Sequence, residues 1–414
     1  MPKTLDVDAR PARARATLLA LGPAFVAAIA YVDPGNVAAN LTAGARYGYL
    51  LLWVLIVANA IAVLVQYQSA KVGIVTGRSL PELLGERLKN GPRRMYWVQA
   101  ELVAAATDIA EVLGGAIALY LLFGVPLLAG GVIVGIASML LLSIQTRNGQ
   151  RPFEIVIIVL LGVIVVGFMT GLLFTGVDPE EALAGIVPRF EGTDSVLLAT
   201  SMLGATVMPH AIYLHSALAR DRHGESHHPG RIAALLRATR WDVGGALFVA
   251  GAVNISMLLL AASALRGIEG TDSIEGAHAA VVSTLGPVVG VIFAVGLLAS
   301  GLASTSVGTY AGSAIMGGLL KVRVPLLARR VITLVPALIV LGVGFDPTRA
   351  LVLSQVVLSF GIPFALIPLV FLASSKKVMG EFVNRPWLRV AGWVSAALIT
   401  VLNVLLIVLV VGGA

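Results

Sequence analysis

Two short stretches of this sequence put coordinating chemistry where a membrane helix should run. One is Asp33-Pro34-Gly35-Asn36, the other Ala205-Thr206-Val207-Met208-Pro209-His210, and each interrupts an apolar segment. Pro34 lacks an N–H and disfavours helix at Asp33, and Gly35 tolerates almost any backbone geometry, so roughly one turn should unwind there. Pro209 breaks the second segment and frees the carbonyl of Ala205, four residues back. In lipid, freed carbonyls need protein, water or an ion as partner. A carboxylate at mid-membrane is costly unless it is paired, protonated or bound to a cation. Asp33 and Asn36 from one break, facing the Met208 thioether and the Ala205 carbonyl from the other, describe a site for a transition-metal cation. Hard oxygen ligands suit Mg²⁺, Ca²⁺ and Mn²⁺, whereas sulfur favours softer, later metals. A thioether therefore discriminates against Ca²⁺ and Mg²⁺ while keeping Mn²⁺ and Fe²⁺. Plainer readings exist for each residue: Asp33 is well placed to cap the half-helix that begins at Pro34, and most membrane methionines only pack. It is the pairing of the two breaks that favours the metal.

A second set of groups could move protons. Glu101, Asp108 and Glu111 lie near one face of an apolar helix. Three acids on one stripe cannot all face lipid; they need cations or protons. Arg329 and Arg330, at the start of a later apolar segment, are candidate partners, and His210 and His215 sit on the half-helix that follows Met208. Acids, arginines and histidines together are what a proton relay requires, although a structural ion-pair network that locks helices together uses the same residues. His223, His227 and His228 fall in a polar stretch and read as a solvated loop rather than a metal trap.

The elements that must position these groups are membrane helices. The chain has 414 residues, 58% hydrophobic and only 12% charged, against about a quarter charged in a soluble domain. Apolar runs of about 20 residues, without the alternation of barrel strands, make it all-α. Hydropathy predicts eleven spans, near 18–44, 48–70, 95–122, 126–145, 153–176, 195–218, 238–264, 286–316, 326–344, 348–373 and 388–412. A signal peptide cleaved after Ala28-Ile29-Ala30 is the alternative for the first, but it would leave the Asp-Pro-Gly-Asn stretch as a free end. The net charge of +7 sits in loops between apolar segments and does not suggest nucleic acid. Every second loop is basic, from the segment 1–17 to Lys376 and Lys377, and the intervening loops are short or acidic, with Asp178, Glu180, Glu181 and Asp194 in one and Glu269, Asp272 and Glu275 in another. This alternation predicts a cytoplasmic N-terminus and an external C-terminus. Residues 274–284 read as a short helix on the outer surface. There is no cysteine, so neither disulfides nor thiolate ligands arise and methionine is the only soft side chain.

Spans one to five start inside and spans six to ten start outside, and each group opens with a broken helix. That is the pattern of a five-plus-five inverted repeat, about 18–176 and 195–373, with the substrate between the breaks and a peripheral helix at 388–412. The chain is expected to form a single transporter domain, 1–414.

The motifs Asp33-Pro34-Gly35-Asn36 and Met208-Pro209-His210, with Gly204-Ala205-Thr206-Val207 and Ala211-Ile212-Tyr213-Leu214-His215-Ser216 around the second, resemble those of the Nramp family of proton-coupled manganese and iron transporters. The resemblance covers nearly the whole chain. It implies a LeuT-like fold and a metal site of Asp33, Asn36, the Ala205 carbonyl and Met208, joined in some conformations by Gln355. It also implies that Asp33 accepts the proton first and that the third-span acids and the arginines carry it inward. The magnesium-carrying branch of the family lacks the methionine, so Met208 argues against it.

The expectation is therefore a secondary active importer of Mn²⁺ and Fe²⁺ in a bacterial inner membrane. It is driven by protons, with no permanently bound cofactor and no obligate protein partner. The nearest rival is the same scaffold carrying a small organic substrate such as an amino acid; Asp33 would repel such a substrate's carboxylate, and a zwitterion does not need a thioether. A channel would need a ring of equivalent ligands. A metalloenzyme would need a spacing such as His-Glu-x-x-His, which is absent, so no enzymatic activity is expected.

Overall fold

Prolines and glycines decide where helices stop in this chain. A computed structural model describes residues 22–224, 228–271, 273–322 and 324–412. The basic stretch 1–17, residues 18–21 of the first expected span, His227, Asp272 and Arg323 lie outside the described residues. All regular structure among the described residues is helical.

The first span is broken. Helix α1 (Pro23–Ala28) tightens into a 3₁₀ turn, Ile29–Val32, and ends at Asp33, whose backbone is extended at φ −73° and ψ 169°. Helix α2 (Pro34–Tyr47) starts afresh with Pro34 in its first turn, where a missing N–H costs nothing. Then come α3 (Leu52–Thr76), the short α4 (Leu80–Arg87), α5 (Asn90–Phe123), α6 (Leu127–Asn148), α7 (Gln150–Leu172) and the short α8 (Pro179–Ala184). The sixth span is broken in the same way. Helix α9 (Gly192–Thr206) stops, Val207 and Met208 are non-helical, and α10 (Pro209–His223) begins on its proline. The remainder comprises α11 (Pro229–Ala264), α12 (Ile274–Leu285), α13 (Pro287–Leu320), α14 (Leu326–Gly342), α15 (Pro347–Ala373), the single turn α16 (Lys376–Met379) and α17 (Pro386–Gly412).

Nine stretches among the described residues are long and apolar enough to cross a membrane, with Gly192–His223 taken as one. Two of the eleven expected spans fall outside that measure. The first is divided by its break. The ninth, α14, is only 17 residues long and carries Arg329 and Arg330. Helix α11 starts nine residues before the expected 238, because Pro229 offers a ready first turn. The surface helix expected at 274–284 is α12. The capping box of Ser79 and Glu82 sets the start of α4, a helix the hydropathy reading passed over.

Packing brings the two broken spans together. Helix α11 lies along α2 and α3, α10 along α3, and α9 along α15, while α13 lies along α5 and α7. Small residues permit the closest approaches. Gly167 of α7 and Gly296 of α13 meet backbone to backbone, and a Cβ on Gly204 of α9 would collide with the Gln355 carbonyl of α15. Helix α17 packs at the edge of the bundle, mainly on α15 and α9.

Helix α15 contains Pro363 and Pro368, each of which leaves the carbonyl four residues back without its helical donor. Both carbonyls are met from other helices. The amide of Asn403, on α17, donates to the Ser359 carbonyl at 2.9 Å, and the Tyr213 hydroxyl, on α10, donates to the Phe364 carbonyl at 3.3 Å. Asn403 also accepts from the Ser359 hydroxyl at 2.5 Å. Replacing Asn403 by leucine leaves the Ser359 carbonyl unanswered in an apolar setting. The expected result is a loss of about 1–3 kcal/mol in stability, read as a lower melting temperature of the purified protein. A melting temperature equal to wild type would count against the clasp.

Candidate metal site

The site grows from the way Asp33 ends one helix and starts the next. As the cap of α2 its side chain must accept from the exposed N–H groups of the first turn, and Oδ1 takes the Asn36 N–H at 2.7 Å. The same oxygen accepts from the Asn36 side-chain amide, also at 2.7 Å, and that amide donates onward to the Ala205 carbonyl at 3.0 Å. The carbonyl freed by Pro209 thus lies next to the first break. The other oxygen, Asp33 Oδ2, has no hydrogen-bond partner, and neither has Asn36 Oδ1. Capping and cation binding are not competing readings of Asp33: Oδ1 serves the helix and Oδ2 remains available.

Gln355 reaches the same place. Its amide lies so close to Gly35 that a Cβ there would overlap it, and its Oε1 has no partner. Met208 caps α10 at the second break. Asp33, Asn36, Ala205, Met208 and Gln355 are each 0–1% exposed. The donors are three unpartnered or bridging oxygens, a backbone carbonyl and a thioether close by in the chain, with one formal negative charge. No cluster of three or more His, Cys, Asp or Glu residues able to hold a metal occurs among the described residues, as expected for a set built mostly of neutral ligands.

The remaining backbone groups of the first break are satisfied by residues the sequence reading did not single out. Asn254 of α11 donates to the Tyr31 carbonyl at 2.6 Å, and Ser300 of α13 donates to the Val32 carbonyl at 2.6 Å. Asn40 in turn donates to Asn254 at 3.0 Å. Intramembrane amides were the available signal, but nothing in their spacing shows which carbonyl they serve.

A cavity of about 530 Å³ opens on the side of the acidic loops. Its walls include Thr42 of α2, Asp194 and Leu198 of α9, and Thr348 and Val352 of α15, so the three elements that carry Asn36, Ala205 and Gln355 also form this vestibule. At its rim Asp194 pairs with Arg46 at 3.1 Å. On the opposite side Asp242 of α11 accepts from the N–H of Gly22 at 3.2 Å and of Ala24 at 3.1 Å, holding the start of α1.

The acids of α5 do meet the arginines of α14. Arg329 donates to Glu101 at 2.7 Å and Arg330 to Asp108 at 3.2 Å, while the Arg330 Nε donates to Ser138 of α6 at 2.8 Å. Glu111 is fully buried and its oxygens accept from no arginine, amide or hydroxyl; the Asp108 carboxyl is within hydrogen-bonding reach, and Asp33 and Arg330 are further charged neighbours. Glu111 therefore stands between the metal site and the ion pairs. Gly308 and Gly312 of α13 leave room for Glu111 and for the Arg329 guanidinium respectively. Their four-residue spacing was a legible sign of close approach. The two histidines part company. His210 faces Thr107, its Nδ1 3.4 Å from the hydroxyl, beside the acid stripe. His215 is held elsewhere. Its Nδ1 is 2.7 Å from Gln66, whose amide donates to the Tyr31 hydroxyl at 2.5 Å, so it joins the first break rather than the acids.

Known proteins resemble this chain over nearly its whole length. The family profile described as Natural resistance-associated macrophage protein-like matches residues 24–409. A Mycobacterium tuberculosis protein named divalent metal cation transporter MntH is 61% identical over 393 residues, covering 95% of this chain and 92% of that protein. The crystal structure of an Eremococcus coleocola manganese transporter superposes with a TM-score of 0.85 at 30% identity, covering 98% of this chain and 88% of that one. MhsT, solved in complex with L-phenylalanine, shares the fold alone, with a TM-score of 0.64 at 15% identity over 94% of this chain and 98% of its own. The all-helical, LeuT-like architecture is common to these structures. With the profile running through both breaks and nearly every helix that packs on them, this chain belongs to the Nramp family.

Proposed function

We propose that this protein is a transporter of divalent transition-metal ions, and specifically that it imports Mn²⁺ and Fe²⁺ together with protons. The observation that carries the reading is the division of labour at Asp33. One oxygen is committed to the helix, and the other lies beside two more unpartnered oxygens, on Asn36 and Gln355, in a fully buried site. Three orphaned buried oxygens, one of them anionic, are costly unless a cation or a proton visits them. The names of the relatives, a divalent metal cation transporter and a manganese transporter, support the same substrate class.

In the proposed cycle the ion enters through the vestibule between α2, α9 and α15 and binds to Asp33, Asn36, the Ala205 carbonyl, Met208 and Gln355. The two halves of the chain, 18–176 and 195–373, then rock about it, closing the vestibule and opening the side of the basic loops. A dication arriving beside a protonated Asp33 displaces its proton electrostatically. Glu111, which has Asp33 and Asp108 among its charged neighbours, receives it, and Asp108 with Arg330 and Glu101 with Arg329 continue the route towards the cytoplasm. His210 borders this route through Thr107; His215 acts on the first break through Gln66 and Tyr31. An amino-acid substrate fits the fold, as MhsT illustrates, but Asp33 would repel its carboxylate.

Purified protein in proteoliposomes tests each part. Asp33→Ala is expected to lower Mn²⁺ uptake more than about tenfold, since even outer-shell partners of a metal site are worth that much; uptake at the wild-type rate would refute the site. Met208→Ala should retain Mn²⁺ uptake while Ca²⁺ and Mg²⁺ become effective competitors, whereas unchanged competition would remove the role of the thioether. Asp108→Asn should allow metal entry with little accompanying acidification of the lumen, measured with an internal pH dye. Acidification in step with metal entry, as in wild type, would place the proton route elsewhere.

A further inference from the structure

Away from the transport site, three cations meet on the face that carries the basic loops. Lys71, near the end of α3, is only 5% exposed. Its ammonium donates to Asn384 Oδ1 at 2.9 Å, and the Asn384 amide is itself fixed by donating to Gln68 at 2.7 Å. Its charged neighbours are Arg240 of α11 and Arg385 at the start of α17, both exposed. None of the three has a carboxylate within ion-pair distance among the described residues. Seven other arginines, Arg46, Arg78, Arg220, Arg222, Arg266, Arg329 and Arg330, do. A buried ammonium facing two guanidiniums, with one neutral amide for company, is an arrangement that an anion would relieve.

The surroundings say what kind of anion. The Arg240 guanidinium lies over the Tyr67 ring at 5.5 Å and its Nε approaches the Tyr67 hydroxyl at 3.4 Å, so it is held against the protein rather than loose in water. Trp241, next in the chain, is 80% exposed, and Trp387, two residues after Arg385, is 59% exposed. Two exposed indoles flanking a basic cluster at the end of membrane helices are interfacial anchors that sit among lipid headgroups. A soluble ion has no use for them. Basic pockets between helices on the cytoplasmic side are suited to lipid phosphates.

We propose that Lys71, Arg240 and Arg385 bind the phosphate headgroup of one anionic membrane phospholipid between α3, α11 and α17. The lipid ties the peripheral helix to α3, which packs on the second broken span, and to α11, which packs on the first. The site is separate from the metal-binding residues, so it stands or falls independently of the transport reading.

The test is native mass spectrometry of the full-length protein titrated with phosphatidylglycerol, and in parallel with phosphatidylcholine. Wild type should retain phosphatidylglycerol in preference to phosphatidylcholine. Each charge removed should weaken that binding about fivefold, so Arg385→Gln loses about fivefold and Lys71→Gln/Arg385→Gln about twenty-fivefold, while Arg94→Gln, an exposed charge elsewhere on the same face, changes nothing. Arg385→Gln keeps the test decisive if the change at buried Lys71 lowers stability, because Arg385 is exposed. The proposal is overturned if the variants bind as wild type does, or if Arg94→Gln loses as much as Arg385→Gln. It is also overturned if millimolar inorganic phosphate displaces the lipid from wild type, which would mark a site for a soluble anion.

Discussion

A helix cannot be interrupted inside a bilayer without answering for the backbone groups the interruption exposes. This constraint organises the molecule. Around the first break the answers come from Asn254 and Ser300; at the second, the Ala205 carbonyl is met by Asn36. Three of the side-chain oxygens left without a partner, on Asp33, Asn36 and Gln355, belong to residues at or against the first break. The proposed ion site consists of these side-chain groups beside a backbone whose own exposed groups are met.

The acids and arginines obey a related rule. Arg330 is completely buried and would be prohibitive alone, but Asp108 and Ser138 engage two of its nitrogens. Glu111 meets no arginine, amide or hydroxyl; its hydrogen-bonding neighbour is another acid, Asp108, and Asp33 is also among its charged neighbours. A carboxylate so placed is poised to change its protonation when the charge at Asp33 changes. In the proposed cycle, electrostatics within this connected set of buried groups links ion and proton, with Asp33 the group that meets both.

Much of this was legible in the chain. Asp-Pro-Gly-Asn and Met-Pro-His mark the breaks because proline and glycine act locally, through a missing N–H and a missing Cβ. The acid stripe on α5 follows from helical periodicity. Partners distant in sequence were harder to read. Arg329 and Arg330 could be named as candidates, but their assignment to Glu101 and Asp108 respectively, and the insertion of Ser138, depend on how α5, α6 and α14 pack. The position of His215 beside Gln66 and Tyr31 depends on α10 lying along α3, which no local pattern encodes. Gln355 entered only through the family resemblance; its contact with Gly35 is a property of two helices meeting. The ninth stretch read from hydropathy is a helix, α14, but at 17 residues with two arginines it falls short of the nine that are long and apolar enough to cross a membrane among the described residues.

The clasp between Asn403 and Ser359 has a mechanical corollary. It fastens α15 to the outermost helix one turn beyond Gln355 and about two and a half turns beyond Arg349, at the vestibule wall. If α15 tilts with that fastening as its fulcrum, lever arms of about 6 Å and 15 Å follow from the helical rise. The mouth would then sweep through more than twice the arc of the glutamine. A movement that shuts the entrance would therefore displace Gln355 less than half as far as the mouth.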